Sequence, residues 1–361
     1  MPSYQREFRD PALAKELVEK IHQATTAPIT IMEVCGTHTM SIFRHGIKNI
    51  LPEAITLLSG PGCPVCVTPQ GEIDAVMELA ARDEVILTTF GDLLRVPGRH
   101  GSLYDMRAKG ADIRMVYSPM DAVAMAKANP DREVVFTGIG FETTAPTTAL
   151  ALLDAKKKCI KNFSLFSQHK LTPPALSAVL QGAGKRIDAL LLPGHVSVII
   201  GEEGFQNVFQ DHPMPSAVTG FEPVDILGAI LSIMKMKASK KTTLTNLYGR
   251  AVQPEGNPRA RGIMGTVFEV NDSTWRGIGE IPRSGLAIQG AFAPFDARKK
   301  FGVHVEESAS PKGCKCGEIL TARMTPPECP LFGSLCTPSK PVGPCMVSSE
   351  GSCAAAFKYG N

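Results

Sequence analysis

The chain has 361 residues, a net charge of +3, and charged side chains at 20% of positions against 43% hydrophobic ones. That balance allows two or three globular domains with sizeable cores and gives no ground for a nucleic-acid or membrane partner. No apolar run approaches the about 18 residues of a membrane span, and the polar, charged start shows no secretory leader, so a cytoplasmic protein is expected. Thiols stay reduced there, so the ten cysteines point to metal or redox work rather than structural disulfides.

In chain order, 11–24 reads as an amphipathic helix with Leu13, Leu17, Val18 and Ile21 on one face. A pattern then repeats: a short apolar strand, a loop of unusual polar residues, a helix. Strands are expected at 29–34, 54–58, 85–87 and 113–117. A second set is expected at 133–136, 163–166, 189–192 and 216–218. Strands alternating with helices predict an α/β protein with two Rossmann-like parallel-sheet domains. The expected divisions are 1–125 for the first domain, 126–225 for the second, and 226–361 for a C-terminal region ending in a Cys-rich tail. A helix is expected at 225–237, strand-like pieces at 265–270 and 285–289, and solvated helix ends at the basic runs 156–158, 235–241 and 298–300.

In parallel sheets, sites form beyond the carboxyl ends of the strands, and every odd polar cluster lies there. If the two domains face each other, one cleft collects Cys35, His38, Cys63, Cys66, Asp92, His169 and His195. Cys63-Pro-Val-Cys66 follows a strand and precedes a helix for which Thr68 and Pro69 look like the start. A helix N-terminus favours thiolate over thiol. The pair suits a dithiol–disulfide switch, half of a zinc site, or an iron site. Three thiolates beside an imidazole suit Fe(II) or Zn(II). Gly138-Ile-Gly-Phe-Glu-Thr143 resembles part of a dinucleotide fingerprint but lacks its third glycine, and Glu142 reads more simply as a helix cap. Cys159 stands alone and reads as a packing thiol.

Cys314, Cys316, Cys329, Cys336, Cys345 and Cys353 crowd the last 48 residues. Gaps of 12, 6, 8 and 7 residues after Cys316 lack the paired knuckles of a structural zinc. A four-thiolate iron–sulfur cluster tolerates such spacing. Six thiols exceed four, which leaves two for a redox pair.

Five stretches together resemble the HypD family of NiFe-hydrogenase maturation proteins. They are Cys35-Gly-Thr-His-Thr39, Gly60-Pro-Gly-Cys-Pro-Val-Cys-Val-Thr-Pro69, Phe136-Thr-Gly-Ile-Gly-Phe-Glu-Thr-Thr-Ala-Pro146, Leu192-Pro-Gly-His-Val196 and Cys345-Met-Val-Ser-Ser-Glu-Gly-Ser-Cys353. The likeness runs through essentially the whole chain. It implies a scaffold that works with HypC to assemble Fe(CN)2CO, with cyanide from the HypE/HypF pair and delivery to the hydrogenase large subunit. It implies that Cys35, Cys63 and Cys66 hold the iron, with His38 beside them and His38 or His195 handling protons. It further implies a 4Fe-4S cluster on Cys314, Cys329, Cys336 and Cys353, Cys316/Cys345 as a redox pair, and Glu350 as a proton or electrostatic partner. A competing reading is a cluster-driven thiol–disulfide reductase acting on other proteins.

Overall fold

The computed structural model describes residues 7–182, 187–306 and 308–360. Helix α1 (Pro11–Ala24) is capped by Asp10, whose carboxylate accepts from the Ala12 and Leu13 amides. The strands follow as β1 (Ile29–Glu33), β2 (Ile55–Ser59), β3 (Val85–Thr89), β4 (Ile113–Met115), β5 (Glu133–Gly140), β6 (Phe163–His169), β7 (Ala189–Pro193), β8 (Ser216–Thr219) and β9 (Leu244–Asn246). Two more, β10 (Phe268–Trp275) and β11 (Gly279–Ile288), form an antiparallel hairpin. All eight expected parallel strands are present. The short β9 was not expected. The pieces foreseen at 265–270 and 285–289 belong to the hairpin, although residues up to Val267 are helical (Pro258–Val267).

The strands sort into two parallel sheets, ordered β2-β1-β7-β8-β9 and β4-β3-β5-β6. This corrects the expected division at residue 125. β3 and β4 pair with β5 and β6, whereas β1 and β2 pair with strands near the far end of the α/β region. The expected boundary at 225 also fails. Helix α2 (Pro223–Ala238) packs on β8 and α1, and β9 completes the first sheet beyond it.

Alternation explains why both sheets hold. In β1, Ile29 and Ile31 join one apolar cluster with Ile226 and Ile230 of α2, while Met32 joins the opposite cluster with Leu190 and Val218. Both faces are covered, so Ala189–Leu192 can be apolar throughout and wholly buried. In the second sheet, Phe136 faces the hairpin residues Phe268 and Leu286, and Val135 faces the cluster containing Trp275. Lys170, just past β6, is buried. Its ammonium donates to Ser273 Oγ and the Thr274 carbonyl at 2.8 Å each, which ties the hairpin to the sheet end.

The Cys-rich segment from 311 has little regular structure. It is bound to both sheets: its sulfurs share a core cluster with Leu87 and Val135 of the second sheet, and its last helix (Ser352–Tyr359) packs on the Gly36–Arg44 helix of the first. Among the described residues, no helix is long and apolar enough to cross a membrane.

Candidate thiol site between the sheets

Strand β1 ends one residue before Val34, and Cys35 caps the helix Gly36–Arg44. Strand β2 ends before the Gly60-Pro-Gly62 turn, which brings the second sulfur loop against the first. The Gly36 amide donates to the Gly62 carbonyl at 3.1 Å. A Cβ on Gly62 would lie 2.4 Å from both N and Cα of Cys35. Only glycine allows that approach.

Cys63 and Cys66 are joined as a disulfide, their Cα atoms 5.2 Å apart. Cys63 caps a single helical turn (Pro64–Val67), and its sulfur accepts from the Cys66 amide at 3.2 Å. The expected capping by Thr68 is not found. Its hydroxyl donates to the Pro64 carbonyl at 2.9 Å, and the following helix (Gln70–Ala80) is preceded by Pro69 without a side-chain cap.

A cleft opens over these loops. Pro64, Val65, Asp92, Phe141, His195 and Glu350 line it. The Cys35 sulfur lies 3.8 Å from Nε2 and 3.9 Å from Nδ1 of His195. The His195 ring stacks on Phe221, and burial lowers its pKa to about 4, so it is neutral at pH 7. Burial, reinforced by the Glu350 carboxylate, raises the Cys35 thiol well above its ordinary range. Cys35 is therefore a protonated thiol until something displaces its proton.

His38 is deeper than expected. It is fully buried inside its helix, and its Nε2–H donates to the Gly220 carbonyl at 2.9 Å. Its pKa falls to about 4, chiefly by burial. Nδ1 has no partner among the described residues. His38 backs the site rather than lining the cleft.

His169 does not join the cleft. It lies buried at the end of β6, 3.3 Å from both Thr148 Oγ1 and Ser167 Oγ and packed against Phe268. Burial lowers its pKa to about 3, against about 6.5 unfolded. The neutral ring is favoured in the fold, so its contribution is present above pH 6.5 and is lost as pH falls towards 3. His169→Gln should accordingly show a smaller drop in unfolding free energy between pH 7 and pH 5 than the parent chain. Urea melts at the two pH values check this, and equal drops would refute it.

Glu142 is likewise no cleft residue. Its carboxylate accepts from the Thr172 amide and hydroxyl at 2.8 Å each, and burial raises its pKa to about 7. Thr143 and Thr144 do line the cleft. Cys159 is corrected outright. It is exposed, in the left-handed region (φ 55) beyond the helix Ala145–Lys157, and packs in no core.

One contributor was missed. Glu33, on β1, is buried. It accepts from the Cys35 amide at 3.0 Å and from the Thr39 hydroxyl, and burial raises its pKa to about 7. A lone carboxylate inside an apolar strand, two residues before a cysteine, was the available signal.

The C-terminal segment closes the site. Thr37 Oγ1 donates to Glu350 Oε1 at 2.7 Å, and Ser348 Oγ donates to Asp92 Oδ2 at 2.8 Å. Burial raises the Glu350 pKa. Cys316 and Cys345 are paired, Cα atoms 6.4 Å apart. The turn Pro64–Val67 packs against both the Cys316–Leu320 helix and the Pro344–Met346 turn, so the two disulfides lie in adjoining elements. Cys314, Cys329, Cys336 and Cys353 are free thiols lining one small apolar cavity with Leu331 and Phe332. Burial and their mutual charge repulsion raise the thiol pKa values of Cys314 and Cys353, the situation a cationic centre would relieve. Among the described residues, no three His, Cys, Asp or Glu side chains meet where a single metal ion would sit.

Fold and site together define a two-sheet α/β scaffold with paired cysteines buried beneath a cleft and a separate nest of four thiols. A family model described as HypD, "Hydrogenase formation hypA family", matches residues 12–360. The chain is 45% identical to the hydrogenase maturation factor HypD of Rhodobacter capsulatus, over 98% of this chain and 97% of that protein. It is 44% identical to its counterpart in Escherichia coli K12, with the same coverage, and 44% to that of Azotobacter vinelandii, over 99% and 97%. The chain belongs to the HypD family of hydrogenase maturation factors.

Proposed function

We propose that this protein is the thiol scaffold on which, together with HypC, the Fe(CN)2CO group is assembled before transfer to the hydrogenase large subunit, with HypE as cyanide donor. The observation that carries this reading is the packing of the Pro64–Val67 turn against both segments of the Cys316/Cys345 pair. Once Cys316 and Cys345 are reduced, thiol–disulfide exchange can run between adjoining elements. A thiolate of that pair attacks the Cys63–Cys66 bond, a mixed disulfide forms, and the second thiolate resolves it. Two electrons pass inward. Cys316–Cys345 is reoxidised, and Cys63 and Cys66 are left as thiols able to take iron with Cys35. The Cys35 proton leaves as the iron cation takes its place, and His195, 3.8 Å away, stays neutral beside the sulfur. Iron is the cargo of this site and not a resident of it. While Cys63 and Cys66 are joined, no three-thiolate seat exists.

The four free thiols suit a 4Fe-4S cluster: the donors are soft, the cavity they line is apolar, and Gly343 leaves the space beside Cys314 that a Cβ, 2.6 Å from its sulfur, would fill. Four irons span more than one ion does, so these ligands need not converge on a point. Such a cluster supplies single electrons when bound. Burial argues against a free-standing disulfide reductase, since Cys63, Cys66, Cys316 and Cys345 are each at most 3% exposed. A protein substrate has no approach to them.

Anaerobic metal and sulfide analysis tests the cluster assignment. About four iron and four sulfide per chain are expected for ligation by four thiolates. One zinc without sulfide would overturn it in favour of a structural zinc site.

A further inference from the structure

The hairpin turn between β10 and β11 lies between the two sulfur systems. Its Arg276 is 3% exposed. The Arg276 amide donates to the Val67 carbonyl at 2.8 Å, Nε donates to the Thr68 carbonyl at 2.9 Å, and Nη1 lies 3.4 Å from Gln70 Oε1. All three partners belong to the chain leaving Cys66. The next residue, Gly277, has φ 75, and a Cβ there would stand 2.1 Å from the Cα of Gly317, directly after Cys316. Arg276 thus grips the end of one cysteine loop while its neighbour abuts the start of the other.

One atom of this guanidinium is unaccounted for. Nη2 is buried and has no hydrogen-bond partner among the described residues. A buried, unpaired N–H of a charged group is costly, so its retention calls for an anionic partner. The carboxylate it feels, Asp74, is occupied by the Arg99 amide at 2.7 Å, by Ser308 Oγ at 2.9 Å and by Gln70 Nε2 at 3.1 Å. Trp275 and Ile278, on either side of Arg276 in this turn, pack in the same core cluster as the four free sulfurs, and among these Cys314 is the one whose negative charge, once its proton is lost, the guanidinium feels.

We propose that Arg276 is a positioning residue that holds its buried positive charge against the thiolate nest of Cys314, Cys329, Cys336 and Cys353 while its other donors clamp the Cys63–Cys66 loop in place. The inference rests on the cluster reading of that nest. Four thiolates around an iron–sulfur core carry net negative charge, which increases on reduction. A fixed cation beside them favours the reduced state and raises the reduction potential. The same side chain fixes the distance between the loop that receives electrons and the segment that supplies them.

The test uses the full chain, prepared anaerobically, with R276Q and R276K beside the parent. Iron and sulfide content is measured first, then the cluster midpoint by mediated titration followed by EPR. R276Q should keep its iron and sulfide but show a midpoint displaced to more negative potential by about 59 mV, a tenfold change in the one-electron equilibrium. R276K keeps the charge and should stay close to the parent. A fully loaded R276Q with the parent's midpoint overturns the proposal and leaves the cluster reading intact. A parent chain without iron and sulfide overturns both. If R276Q fails to load, R276K decides, and a large negative shift in that charged variant counts against the role.

Discussion

Gly62→Ala is expected to abolish hydrogenase maturation and to destabilise the chain by about 3 kcal/mol, the upper end of the usual cost of overpacking. The new methyl group would sit 2.4 Å from the backbone N and Cα of Cys35. Backbone atoms at the start of a helix cannot step aside as a flexible side chain can. Relief requires parting the two loops, which breaks the Gly36 amide to Gly62 carbonyl bond and draws Cys35 away from His195. Denaturant unfolding gives the stability change, and maturation of hydrogenase in cells carrying only the variant gives the functional one. Wild-type values in both would show that the loops are not held at this point. The substitution adds one methyl and removes no reactive group, so maturation lost at an undiminished level of folded protein reports on geometry alone.

Cys63→Ala carries the other large expectation: at least a hundredfold loss of maturation, with the visible absorbance and iron content of the C-terminal thiol nest unchanged. Cys63 and Cys66 lie in a different loop from the four free thiols and share no sulfur with them. Removing Cys63 frees Cys66 from the disulfide but leaves one thiol where the proposed iron seat needs two. Cys159→Ala is the matched control. Cys159 is exposed and lies outside both sulfur groups, so it should mature hydrogenase normally. Normal maturation by Cys63→Ala would remove the pair from the assembly site, and joint loss of the absorbance would mean that the two sulfur systems are one.

Local structure was largely legible in the sequence. Segments such as 189–192 are apolar without alternation because both faces of the sheet are covered, and Gly, Pro and polar clusters mark where each strand stops. Placing odd loops at strand ends also brought Asp92 and His195 to one cleft, with the Cys35 sulfur 3.8 Å from His195. The sheet to which each strand belongs was not legible. β2 reads like β3, and nothing local records that one pairs with β1 and the other with β5. His169 misled because a polar residue at a strand end serves the fold or the cleft according to which way it turns, whereas Glu142, read as a helix cap, does accept from the first amide of the helix Thr172–Gly182. His169 turns inward, where Thr148 satisfies it. Arg276 gave no signal, since its partners lie over 200 positions away.

The interleaved strand order bears on how the chain is made. The second sheet is contiguous, from β3 to β6, and can be complete on the ribosome as soon as His169 has emerged. The first sheet is not. β1 and β2 leave the exit tunnel as a pair with the β1 edge open. That edge waits for β7, beginning at Ala189, while more than 120 residues of other structure form between them. Exposed strand edges of this kind invite pairing with other chains. Cys35 and Cys63, borne by the loops after these two strands, are synthesised early and buried late. During that interval both thiols are open to oxidants, so the nascent chain, and not the folded protein, is where this scaffold is most exposed to mispaired sulfur.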